Sequence, residues 1–213
     1  MSRRPRTLFI ALPALVLVWW GGALWWTGDT EGLRPNGERY ALSVEEVALL
    51  QDGDIILRRG HGLVSDMIAR LLAEPFDISH CGVIAERDGE LWVVHSVSNN
   101  VSDFDGMQAH RLPVFVRQSK PGSVIVSRLR TDHDRTGISR KARHYLRQQV
   151  PFDHQFDRQD STHIYCSELV WRILRDEYDL DILDGVVEDR LSPFRFAHLM
   201  DPRWFDVVLN HQQ

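Results

Sequence analysis

The chain has 213 residues, 43% of them hydrophobic and 26% charged, with a formal net charge of −5. That length allows one globular domain with a sizeable core plus an appendage, and the composition excludes a disordered chain. With an acidic balance and scattered histidines there is no basic surface for nucleic acid, so that class of partner is set aside.

Arg3, Arg4 and Arg6 precede Leu8–Trp26, a run without a single charge. As a helix this run spans roughly 28 Å at about 1.5 Å per residue, close to the hydrocarbon thickness of a bilayer. The arginines then stay on the cytoplasmic side and Trp19, Trp20, Trp25 and Trp26 lie toward the far interface, while Pro13 is tolerated in such a helix. Residues 1–27 are therefore expected to be one N-terminal transmembrane helix, anchoring the chain in the inner membrane with its C-terminal domain in the periplasm. The competing reading is a signal peptide cleaved at Gly21-Gly22-Ala23, which leaves the domain secreted. Continuation of the apolar run through Leu24-Trp25-Trp26 favours the anchor. Residues 28–36, carrying Gly28, Gly32 and Pro35, read as a linker, and residues 37–213 as the domain.

Within the domain, Ser43-Val44-Glu45-Glu46 has the spacing of a capped helix start. Gly53–Leu57 reads as a short apolar strand entered through a turn. His61 to Leu72 places Leu63, Met67, Ile68, Leu71 and Leu72 at helical spacing, and Pro75 ends that helix. Two strands flank Arg87-Asp88-Gly89-Glu90, whose Asp-Gly pair is a preferred centre for a two-residue hairpin turn. Val124–Val126 reads as a buried strand, Ser139 to Val150 as a basic helix, and Cys166 to Tyr178 as a helix burying Leu169, Val170, Ile173 and Leu174. Strands and helices segregate along the chain, which predicts an α+β domain with an antiparallel sheet.

The hairpin register follows from its turn. With Asp88 and Gly89 at the tip, Arg87 opposes Glu90, Ile84 opposes Val93 and Gly82 opposes His95. Side chains alternate, so His80, Gly82, Ile84 and His95 share one face, His80 and His95 are diagonal neighbours, and Cys81 points to the other face. Cys166 begins its helix, where the helix dipole and a nearby imidazolium lower a thiol pKa. The sequence therefore supplies a candidate nucleophile (Cys166), a base (His80) and a group to orient that base (His95).

"GDIIL" at Gly53, "SHCGVI" at Ser79, "PFDHQFD" at Pro151 and "YCSELV" at Tyr165, in that order, resemble the permuted papain-like amidases of the YiiX/YaeF type. These are relatives of the NlpC/P60 cysteine peptidases, and the resemblance covers about residues 50 to 175. It implies a permuted papain-like fold, with Cys166 as nucleophile and His80 as general base. Histidine before cysteine is the order that permutation produces. Many relatives carry a Glu on the second hairpin strand where this chain has "VVHS" and so His95; NlpC/P60 enzymes commonly use a histidine as the third residue. The resemblance further implies an amidohydrolase acting through an acyl-enzyme, without a cofactor. Its substrate is a peptide, lipid or other small molecule, with peptidoglycan stem amides favoured by kinship.

Other readings stand beside these. Buried cysteine is common as core filling, and an exported protein with two cysteines invites a Cys81–Cys166 disulfide, which strand alternation disfavours by turning Cys81 away from the site. Zinc accepts His80, His95 and Cys166, but the close-spaced ligand pairs typical of zinc sites are absent from the sequence, so no metal is expected. Thioester cleavage, acyl transfer and a non-catalytic binding domain are open alternatives on the same fold. Tyr165, beside the nucleophile, and Asp153 are candidates for substrate contact, with packing and turn formation as their competing roles. His61, His110, His133, His144, His154, His163, His198 and His211 read as solvated surface.

Overall fold

The computed structural model describes residues 39–186, 191 and 195–212. The expected membrane segment (1–27) and linker (28–36) lie outside the described residues, as do the first two residues of the expected domain. Among the described residues no helix is long and apolar enough to cross a membrane.

The first helix, α1 (Val44–Leu49), begins at the predicted capping box: Ser43 Oγ accepts from Glu46 N, and Glu46 returns a carboxylate to Ser43 N. Strand β1 (Ile55–Arg58) leads into α2 (Gly62–Leu72) and then the β2 (His80–Arg87) and β3 (Glu90–Val97) hairpin. Asp88 and Gly89 both take positive φ, 54° and 78°, as a type I′ turn requires, so the hairpin closes where its sequence says. Arg87 faces Glu90 and Ile84 faces Val93, the predicted register.

The sequence reading named neither β4 (Gly106–Arg111) nor the short helix α3 (Leu112–Arg117), with Pro113 in its first turn, nor the last 3₁₀ turn and strand of the chain. There follow β5 (Ile125–Leu129), α4 (Thr136–Arg147), α5 (Cys166–Tyr178), a 3₁₀ turn (Phe196–Met200) and β6 (Phe205–Asn210). The basic helix thus starts and stops about three residues earlier than its periodicity suggests. The strands form one antiparallel sheet in the order β4-β3-β2-β1-β5-β6. The α+β antiparallel expectation holds.

Alternation divides the sheet's side chains between two apolar clusters. Leu57, Cys81, Val83, Val94 and Ile125 pack against α4, α5 and the 3₁₀ turn. Ile56, Ile84, Val93 and Val126 pack on the opposite face with Tyr40 and with Leu112, Phe115 and Val116 of α3. The apolar stripe of α2 lies largely at the surface. Leu72 is buried, but Leu63, Met67 and Leu71 are 65%, 60% and 63% exposed. Periodicity identified the helix and not which way its apolar side would face.

Candidate active site

Three adjacent strands each bring one histidine to the face covered by α3. His80 opens β2, His95 lies on β3 and His110 on β4, and their rings join in series: His80 Nε2 to His95 Nδ1 at 2.8 Å, and His95 Nε2 to His110 Nδ1 at 2.8 Å. The row is diagonal because each residue sits two positions from its partner's direct cross-strand neighbour, a separation aromatic rings bridge. The Phe115 ring lies 5.9 Å from His80 and 5.3 Å from His95, closing the row from above. Arg58 stacks over the same ring at 4.1 Å and donates to Phe115 O at 2.8 Å. Burial holds the Arg58 guanidinium down at about 10.

His95 is 1% exposed. Its pKa lies well below the usual histidine range, first because burial disfavours the charged ring and then because His80, Arg58 and His110 add positive charge around it. It is therefore neutral at physiological pH, with one ring nitrogen donating and the other accepting. His110, half-buried, is lowered by burial first and then by Arg58 and His80.

Cys166 is the first residue of α5 and is half-buried. Its thiol lies well below the usual range, through a hydrogen bond from Cys81 first and then through His80, against the opposing effect of burial. The Cys81 thiol is fully buried and pushed up, so it stays protonated and donates. Here the sequence reading is overturned. Cys81 does leave the histidine face, but α5 packs on the face it joins, so Cys81 meets Cys166 instead of turning from it. His80, the first residue of β2, still reaches Cys166. Both thiols are free.

Hydrogen bonds position this corner. Ser96, next to His95 but facing the other way, donates from Oγ to Ile164 O at 2.6 Å, two residues before the nucleophile candidate. Ile164 N donates to Pro151 O at 3.0 Å. Glu168, in the first turn of α5, accepts from Arg172 Nε at 2.8 Å and from Tyr165 N at 3.2 Å. Arg172 also donates to the carbonyls of Arg158 and Asp160, tying the preceding loop to the helix. Burial outweighs the guanidinium and raises the Glu168 carboxyl to about 7.

The two residues expected to contact substrate take supporting places. Asp153 is buried and its oxygens accept backbone N–H groups of Gln155, Phe156 and Asp157, so it builds the turn. Tyr165 is buried at the α5 N-cap with its ring 5.4 Å from that of Phe156. His110 and His211 are corrected too: neither is free surface, since His110 joins the histidine row and His211 bonds Tyr40 and Glu46. Sequence reading missed His110 because β4 was missed. The signal was faint, with only Met107 and Ala109 alternating against Gln108 and His110.

A thiol at the first turn of a helix, against a histidine on a neighbouring antiparallel sheet whose ring is bonded to a further polar group, is the arrangement of papain-like thiol hydrolases. Residues 49–185 match the family described as permuted papain-like amidase enzyme, YaeF/YiiX, C92 family, and the chain belongs to it. Among solved structures the chain is similar to that of metalloprotein yiiX from Escherichia coli O157:H7. The two share 19% identity, the match covers 75% of this chain and 97% of that one, and the TM-score is 0.58. That likeness confirms the fold. No curated protein matches the chain. The yiiX protein is described as a metalloprotein. In the present chain, among the described residues, no group of three or more His, Cys, Asp or Glu side chains is placed to hold a metal, and the histidine nitrogens that meet are spent on one another.

Proposed function

We propose that the chain is a cysteine amidohydrolase in which Cys166 is the nucleophile, His80 the general acid and base, and His95 the residue that orients His80. The observation that carries this reading is the Cys166 thiol, held low beside His80 while the far nitrogen of His80 is bonded to a neutral, buried His95. With Nε2 of His80 engaged by His95, Nδ1 is the nitrogen left for Cys166.

In the proposed reaction the Cys166 thiolate attacks an amide carbonyl carbon and a C–S bond forms. The oxyanion is met by the Cys166 N–H, one of the amides a helix leaves unpaired in its first turn. Protonated His80 gives its proton to the leaving nitrogen, the C–N bond breaks and the amine departs from an acyl-enzyme. Neutral His80 then takes a proton from water as its oxygen attacks the acyl carbon. Collapse expels the thiolate and releases the acid, restoring the ion pair.

Anchoring by residues 1–27 and a periplasmic domain belong to this proposal, and with family kinship they favour peptide amides of peptidoglycan stems as substrate. A second reading, cleavage or transfer of a lipid-borne acyl group, is favoured by the exposed Leu63, Met67 and Leu71 on α2, which follows β1, whose Arg58 pairs with His80.

The test is alkylation of the full-length chain by iodoacetamide at pH 6. Cys166 should react well ahead of a free model thiol and lose that advantage in His80→Ala; reaction no faster than the model thiol would refute the nucleophile. Stem peptides and acyl thioesters, compared against Cys166→Ala, then separate the two substrate readings.

A further inference from the structure

His95 has two ring nitrogens, and only one arrangement of its proton serves His80. When His80 carries both its protons, its Nε2–H must donate to His95 Nδ1. His95 is neutral, so its own proton then sits on Nε2 and needs an acceptor inside the protein. Its direct cross-strand neighbour, Gln108, is bonded elsewhere. Gln108 gives its Nε2 to Phe104 O at 2.7 Å and engages Ser102 through Oε1 at 3.1 Å. The acceptor present is His110 Nδ1, at 2.8 Å.

We propose that His110 is a positioning residue that locks His95 in its Nε2–H tautomer, so that the three histidines form a one-way chain of donors running outward from His80. The proposal rests on the acid–base reading of His80 and deepens it by one residue. Without His110, the Nε2–H of His95 would be a buried, unpaired donor. The ring would lower its energy by moving that proton to Nδ1, where it points at His80 Nε2. His80 would then have to accept there, could no longer hold a second proton, and could not keep the ion pair with Cys166. Serial bonds of this kind also polarise one another, which strengthens the inner His80–His95 bond.

The charged and titratable groups around His110 agree with this direction. From β3 it meets His95, and burial together with the positive charges of Arg58 and His80, from the β1 and β2 side, disfavours a second proton on its ring. Arg111, its chain neighbour, is paired with Glu90. A neutral ring carries one proton; with it on Nε2, His110 presents Nδ1 as an acceptor to His95.

The experiment compares the full-length parent, His110→Leu and His110→Asn, the last because the asparagine Oδ1 stands close to where Nδ1 was. Nitrogen-15 spectra of histidine-labelled protein report the His95 tautomer, and iodoacetamide at pH 6 reports Cys166. The expected result is an Nε2–H tautomer at His95 in the parent and in His110→Asn, lost in His110→Leu. Cys166 alkylation should fall about tenfold in His110→Leu alone, as befits loss of a hydrogen bond serving a charged group. An unchanged His95 tautomer and alkylation rate in His110→Leu overturns the lock. So does equal impairment in both variants, which would mark His110 as a packing residue. A parent whose Cys166 is no faster than a free thiol, while the His95 tautomer still follows His110, keeps the lock and sinks the nucleophile.

Discussion

Gly82→Ala joins the packing of the sheet to the chemistry of the site. Gly82 lies on β2 opposite His95, and a Cβ added there would stand 2.7 Å from Val93 Cγ1, 3.0 Å from His95 Cβ and 3.0 Å from Val94 O. None of these yields easily: Val93 is fully buried under α3, His95 is pinned between two histidines, and Val94 O belongs to the strand backbone. Overpacking of this kind costs about 1–3 kcal/mol, against which Ala regains about 0.5–1 kcal/mol of backbone entropy. The net expectation is a loss of about 1–2 kcal/mol, read by urea unfolding of the full-length chain with far-UV circular dichroism. Part of the strain must be relieved by moving His95 a few tenths of an ångström, which lengthens its bond to His80. Losing about half of a charge-assisted bond lowers Cys166 alkylation at pH 6 by about tenfold. A variant at least as stable as the parent, with unchanged alkylation, would show that β2 and β3 have slack at His95 and would refute the claim that their close approach sets the site.

Two further outcomes are expected. Because burial raises the Glu168 carboxyl to about 7, above its unfolded value near 4.5, folding favours the protonated form, and its contribution fades as pH rises through that window. Glu168→Gln should therefore gain on the parent by about 2 kcal/mol in relative unfolding free energy between pH 5 and pH 8; a pH-independent difference contradicts the raised carboxyl. Ser96→Ala removes the bond to Ile164 O, leaves that buried carbonyl without its side-chain donor, and should cost about 1–3 kcal/mol. Alkylation of Cys166 should slow in the same variant, and a loss of stability with full reactivity would show that Ser96 does not place the segment leading into the nucleophile's helix.

Legibility followed locality. The β2–β3 hairpin and the shared face of His80 and His95 could be read from residues 80–97 because a two-residue Asp-Gly turn and strict alternation set the register without reference to the rest of the chain. The capped start of α1 and the helix opening at Cys166 were local in the same sense. Element boundaries were less secure. The end of α4 lies at Arg147 rather than Val150, since Gln149 takes positive φ and breaks the helix in a way its composition does not announce. The turn role of Asp153 was visible in its motif, while its burial was not.

By itself the sequence determined an α+β chain of the permuted papain-like kind, with a cysteine at a helix start and two histidines placed diagonally on one hairpin. Only the tertiary structure decided what surrounds them. The face of the sheet against which α5 packs brought Cys81 to Cys166, and the pairing of β4 with β3 added His110 to the row. Those outcomes rest on contacts between segments 15 to 85 residues apart, whose energy lies in packing and strand pairing across the chain. Alternation says that two side chains point to opposite faces; it does not say which face a distant helix will cover.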